Sequence, residues 1–414
     1  MFAEDRSWEE RIAEPIDLPP CAVREVDGGV ILPLVRADDG YHDWRGGVVE
    51  GDGTFVAGHV YHARARRTRN ILEGYPVPDD VAYRPGVALY AGGPDDSHFG
   101  HFLTETISRL WWIVDHPDAD VHLVVNTTPL EAVNRNILEA LGIGEDRILE
   151  LSEPTRFDAV IVPDQALHLG SGASDPVALR KIYDAIRSWA PRGGPERIYL
   201  TRTALHNRLR ARELNEEFLE EFYREQGFEI VSPEKLPFRD QVSMISSAHG
   251  FASTAGTLSH LVLFAEDDVH QHVALRHPTS LGLVGQWAMS RSRAGAIDVV
   301  DTTLPILPAS RWAGVSFHTA TPWWVQYAEA VFGVDVRPSR AEDYFGTLMS
   351  EWLDTILSVP DEDLRFFPRW TTVDFLDSFS THLRGHRLTE EERTRLVEHF
   401  EGHRDADGDG GTGR

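Results

Sequence analysis

The chain has 414 residues, 42% of them hydrophobic, and a formal net charge of -26. That length supports a buried core divided over two or three domains, and the acidic field argues against a nucleic-acid partner, whose phosphates need clustered Lys and Arg. A single cysteine, Cys21, excludes an intrachain disulfide and any CxxC metal or redox site.

The opening Met1-Phe2-Ala3-Glu4-Asp5 is acidic and lacks the basic and apolar regions of a signal peptide. No apolar run approaches the ~20 residues that span a bilayer. The expectation is a cytoplasmic protein that meets a membrane only peripherally, through a partner or a lipid-linked acceptor. Residues 1–85 read as a β-rich extension, with glycine-punctuated, β-branched runs at 28–35 and 54–62.

From residue 86 strands and helices alternate. Strands are predicted at 87–90, 121–125 and 159–162, with helices over 97–115, 129–141 and 176–189. Asp95, Asp96 and Ser97 are candidate caps for the first helix. Pro191-Arg192-Gly193-Gly194-Pro195 is the best linker, and the alternation then restarts. Strands follow at 197–201, 229–231, 251–254 and 269–275, and helices over 213–226, 238–247 and 257–264. Two βαβ series imply two parallel-sheet domains, 86–192 and 193–310, facing a cleft. Residues 311–403 form a helical region, with Thr389 as one cap, expected to pack back across the first domain. The polar, glycine-rich tail 404–414 reads as disordered.

Three constellations carry possible chemistry. His101 and Glu105, four apart, share a helix face near its start, where an imidazole or carboxylate could accept the proton of an attacking hydroxyl. The plain alternative is a backbone-bonded histidine beside a solvated glutamate, and His98 with His101 also permits a weak metal reading. The second is a strand ending at Arg202, followed by Arg208, Arg210 and Arg212, in a chain whose only lysines are Lys181 and Lys235. A GC-rich genome or a high-salt cytoplasm would each account for that lysine poverty. Planar guanidinium forks suit a diphosphate, although these arginines could instead balance the glutamates of the next helix. The third is Ser253-Thr254-Ala255-Gly256-Thr257, a small-residue turn that lets a ligand approach the backbone, or a tight turn with no ligand. Asp118-Ala119-Asp120 reads as a chain turn rather than a metal motif. The run from Asp405 lacks the twelfth-position acid of a calcium loop.

In order, these segments are Gly100-His101-Phe102-Leu103-Thr104-Glu105, Tyr199-Leu200-Thr201-Arg202 and Arg212-Glu213-Leu214-Asn215-Glu216. They continue through Gly227-Phe228, Pro233-Glu234, Gln241 and Ala255-Gly256-Thr257. Over about residues 90–275 the series resembles the family 61 glycosyltransferases (the DUF563 group). It departs at Ser259-His260-Leu261, where many members carry an asparagine.

The resemblance implies an α/β, GT-B-like fold of two Rossmann-type domains. It implies an inverting, metal-independent transfer from a nucleotide-sugar, UDP-linked, to a hydroxyl of a glycan or other surface-polymer acceptor, with no cofactor. Arg202 and Arg212 would neutralise the diphosphate, and Gly256 and Thr257 would approach it through backbone N–H groups. Asn215, Glu216, Glu234 and Gln241 would contact the nucleoside or brace the loop. His101 would be the base, with Glu105 orienting it, or the reverse. A nucleotide-sugar epimerase and a non-catalytic carbohydrate-binding or scaffolding protein are the competing classes.

Overall fold

The computed structural model describes residues 2, 16–36, 44–56, 63–64, 67–68, 71–93, 99–125, 130–169, 171–204, 213–276, 284–305, 316–338, 341–358 and 373–402. Two five-stranded sheets organise them. The first contains β1 (Val23–Asp27), β2 (Val87–Tyr90), β3 (Val121–Val125), β4 (Ile148–Glu150) and β5 (Ala159–Pro163), in the order β1-β5-β2-β3-β4. Strands β2 to β5 run parallel, and β1 closes one edge antiparallel to β5. The second is parallel throughout, from β6 (Arg197–Leu200), β7 (Glu229–Val231), β8 (Gly250–Thr254), β9 (Val269–Ala274) and β10 (Ala294–Val300), in the order β7-β6-β8-β9-β10. The chain order reverses between β2 and β5 and again between β6 and β8. Open α/β sheets leave a ligand-accepting crevice at such points, beyond the carboxyl ends of the strands.

The period-2 geometry of a strand explains why these runs are apolar on both faces. In β2, Leu89 joins the largest hydrophobic cluster, while Ala88 and Tyr90 join a second one on the opposite face. That second cluster includes Ile31, Val48 and Ile71 of a mixed sheet built from Val30–Arg36, Trp44–Val49, Ile71–Glu73, Ala82–Tyr83 and Thr155–Arg156. The β-rich extension therefore covers one face of the first sheet. Of the run 54–62, only Thr54 to Val56 are described, and Phe55 makes an isolated bridge to Val49.

The largest cluster draws on both sheets, and the helix Pro176–Trp189 supplies Leu179, Ile182, Tyr183 and Ile186 to it. Asp175 caps that helix by accepting from the Val177 and Ala178 N–H groups. Ion pairs reinforce the packing. Arg293, itself buried, bonds Asp184 and Asp267 at 2.7 Å each, and Arg187 bonds Glu266 at 2.5 Å. The segment 191–195 has no regular structure, as a linker should, but it is docked. A Cβ on Gly194, at φ 94°, would lie 2.2 Å from the Met244 carbonyl oxygen.

Several expected elements change. Residues 213–226 do not form one helix: Glu213–Leu214 pairs as a strand with Ser316–His318, and the helix begins at Glu217. The helix expected over 97–115 is described from Phe99 and is uneven. It passes from the turn Phe99–His101 through a π-helical stretch, Phe102–Thr106, and a 3-10 turn, Ile107–Arg109, to Trp111–Asp115. Its three cap candidates lie outside the described residues, as does the tail from 403. Among the described residues, the C-terminal helices pack on the second half of the chain rather than the first. Trp324, Tyr327 and Ala328 cluster with Tyr199 and Ala252, whereas Met349, Leu376 and Leu396 cluster with Leu214 and Phe317. Thr389 does cap its helix, exchanging hydrogen bonds with Glu392.

Candidate active site

At the carboxyl edge of the second sheet, register decides which residues meet. Leu200 stands opposite Ser253, and Thr254 opposite Ala274. Arg202, the Gly256 turn and Arg276 therefore leave three neighbouring strands side by side, with Arg202 and Gly256 flanking the reversal between β6 and β8. Arg202 is half-buried, with its Nε enclosed by protein. Its backbone N–H donates to Glu216 Oε1 at 3.2 Å, which also accepts from the Tyr199 hydroxyl at 3.0 Å. Glu220 accepts from the Thr201 and Thr203 hydroxyls at 2.5 and 2.6 Å, clamping the residues either side. A buried carboxylate accepting two such bonds fixes the loop that carries the guanidinium.

Gly256 adopts φ 114° and ψ -152°, open to glycine and strained for other residues. Arg276 Nη1 donates to Ala255 O at 3.4 Å and lies 2.9 Å from where a Gly256 Cβ would stand. The Gly256 N–H donates to Ser259 Oγ, so this residue offers close approach rather than its own donor. In the two preceding positions, the Ser253 and Thr254 hydroxyls are fully buried without a hydrogen-bond partner among the described residues. Such orphaned hydroxyls are uncommon in folded interiors.

Among the described residues, the turn Phe99–His101 of the first half of the chain packs against the short helix Thr257–His260 that follows Gly256. His101 Nδ1 lies 3.2 Å from Glu105 Oε2, and Glu105 is 7% exposed. A carboxylate at Nδ1 selects the Nδ1–H tautomer and makes Nε2 the basic nitrogen. The π-helical stretch containing Glu105 is held by specific bonds. The Tyr183 hydroxyl donates to Leu103 O at 2.7 Å, and buried Arg109 donates to Pro163 O at 2.7 Å, at the end of β5. π-Helical segments recur at functional sites.

The sequence-predicted residues divide accordingly. Arg202, Gly256 and Thr257 lie on this edge, and the His101–Glu105 pair adjoins it through the turn that packs on Thr257–His260. Arg208, Arg210 and Arg212 lie outside the described residues, as does His98. Asn215 is a backbone device: its φ is 61°, and its Nδ2 donates to His318 O at 2.8 Å. Glu216 braces Arg202. Glu234 is exposed on the turn Pro233–Lys235 beyond β7, and Gln241 Nε2 donates to Leu236 O at 2.9 Å, steadying that turn. Asp118 is exposed in a turn that feeds the amino end of β3, the edge away from the site. Sequence reasoning missed Arg276, although its signal matches that of Arg202: an arginine just past the end of a buried strand.

Residues 99–271 match the family model described as Glycosyltransferase 61. No curated protein matches the chain.

Proposed function

From the match of residues 99–271 to the Glycosyltransferase 61 model, we propose that the chain is an inverting, metal-independent glycosyltransferase with a GT-B arrangement of its two mainly parallel sheets. The donor is a nucleotide-sugar, UDP-linked, and the acceptor a hydroxyl of a glycan or lipid-linked polymer precursor. The observation that carries this reading is the placement of Arg202, Gly256 and Arg276 at the carboxyl ends of three adjacent parallel strands of an acidic protein, with the helix that follows Gly256 in contact with the turn that bears His101.

In this mechanism, Arg202, Arg276 and Arg212 neutralise the diphosphate, whose charge grows as the sugar–phosphate bond breaks. The Gly256–Thr257 turn admits it closely. Residues of the β7 edge, Glu234 among them, face the nucleoside. The acceptor hydroxyl loses its proton to His101 Nε2 as it attacks the anomeric carbon from the face opposite the leaving group. Glu105 holds the imidazole and stabilises the imidazolium that forms. Residues 86–192 act as the acceptor domain and 193–310 as the donor domain, in a cytoplasmic protein with at most peripheral membrane contact.

The test is donor hydrolysis and sugar transfer in EDTA, comparing the wild type with Arg202→Ala and His101→Ala. Loss of transfer in both variants is expected. Full activity in both would end the assignment, and strict dependence on added metal would overturn its metal-independent form.

A further inference from the structure

At the opposite end of β9 from Arg276 lies a second cluster that sugar transfer does not use. His270 and His272 project from one face of β9, and Asp298 of β10 stands directly opposite His272 in the parallel ladder. His270 Nε2 lies 2.7 Å, and His272 Nδ1 3.7 Å, from the same carboxylate oxygen, Asp298 Oδ2. The two imidazole rings are 4.1 Å apart between centroids. One donor atom from each of the three residues falls within 4.8 Å of the other two. Four to six residues of strand separate the cluster from Arg276, a span of roughly 13–20 Å.

We infer that His270, His272 and Asp298 form a binding site for a borderline divalent transition ion of the zinc, cobalt or nickel type. Two imidazole nitrogens and one carboxylate oxygen suit such ions, whereas calcium and magnesium take oxygen ligands. The three donors come from paired strands, so the sheet preorganises them and little chain entropy is lost on binding. Exposure is graded across the site: the His272 side chain is 3% exposed, Asp298 18% and His270 40%. The ion would enter from the His270 side and keep a solvent ligand there. Behind it, the Tyr327 hydroxyl lies 3.0 Å from His272 Nδ1 and 2.8 Å from the Tyr223 hydroxyl. Turning the Tyr327 hydroxyl fully to Tyr223 frees Nδ1 for the ion, and a tautomer exchange frees Nε2 of His270. The ion would staple β9 to β10 beneath the helix Pro322–Tyr327, remote from the transfer edge.

The experiment uses the full chain after chelator treatment and dialysis. Zinc is titrated by calorimetry, and cobalt by its visible d–d absorption. The wild type is expected to bind one equivalent with nitrogen and oxygen ligation in the cobalt spectrum. His270→Ala, at the exposed end of the site, and Asp298→Asn should each weaken binding at least ~10-fold. His101→Ala, outside the cluster, should bind as the wild type does. The inference is overturned if the wild type binds no zinc at ~100 μM, or if both His270→Ala and Asp298→Asn titrate like the wild type. Because the readout is binding rather than turnover, failure here leaves the proposed transferase function standing, and the converse holds.

Discussion

His101 Nδ1 and Glu105 Oε2 stand 3.2 Å apart, across the junction where an ordinary helical turn gives way to a π-helical one. The pair gives the imidazole one tautomer and one orientation. His101→Ala should lower kcat by about 10²–10⁴ with the donor KM little changed, because the proposed base acts on the acceptor in the transition state. Glu105→Gln keeps a hydrogen-bonding group and should cost less. Steady-state kinetics with saturating acceptor reads the difference. A larger loss in Glu105→Gln than in His101→Ala would reverse their roles.

Arg202 and Arg276 are expected to act on the donor. Each alanine variant should raise the donor KM and reduce the thermal stabilisation given by UDP, since ligand stabilisation follows RT ln(1 + [L]/Kd). Arg202→Lys should recover only part of the affinity, as an ammonium lacks the planar fork. A thermal-shift series over UDP, GDP and CMP also identifies the base. Undiminished UDP stabilisation in both alanine variants would remove these arginines from the site.

Gly256→Ala meets two obstacles: φ 114° and a Cβ 2.9 Å from Arg276 Nη1. It should destabilise the fold by about 1–3 kcal/mol and abolish donor binding. Denaturant unfolding measures the first, and UDP titration the second. In the background Arg276→Ala, the steric part disappears and the φ strain remains, so the added destabilisation should shrink without vanishing.

Glu216 is 3% exposed and accepts from both Tyr199 and the Arg202 backbone. Glu216→Ala should cost about 1–3 kcal/mol of stability by leaving those donors buried and unsatisfied. Its effect on turnover should appear as a raised donor KM, through the displaced Arg202 loop. Wild-type stability in this variant would contradict the bracing role.

Acid should loosen the contact between the helix Pro176–Trp189 and the second sheet. Burial pushes the Asp267 carboxyl up, but its bond and charge interaction with Arg293, with Arg180 and Arg187 nearby, reverse this and leave it below the ordinary value. Glu266 is likewise raised by burial and lowered further by Arg187 and Arg192. Groups depressed on folding stabilise above their unfolded pKa and lose that contribution as pH falls through the folded value. Stability measured by denaturant should therefore fall as pH drops below about 4, and Asp267→Asn should flatten that slope. A slope unchanged by the substitution would dissociate Asp267 from acid sensitivity.

Much of this protein is written locally. The strands Val87–Tyr90, Val121–Val125 and Glu229–Val231 and the helix Pro176–Trp189 fall where apolar runs, a capping Asp175 and proline set them, because hydrophobic period and capping act within a few residues. The His101–Glu105 pair is likewise a four-residue spacing, and the order of segments sufficed for the family resemblance. Only the tertiary structure decided what depends on partners distant in sequence. Glu213–Leu214 becomes a strand because Ser316–His318 is there to pair with it, against its place in a helical pattern. Arg276 reaches Gly256 because parallel pairing lays β9 beside β8, and Glu216 turns inward because Tyr199 and the Arg202 backbone meet it there. Long-range register, rather than local propensity, builds the site.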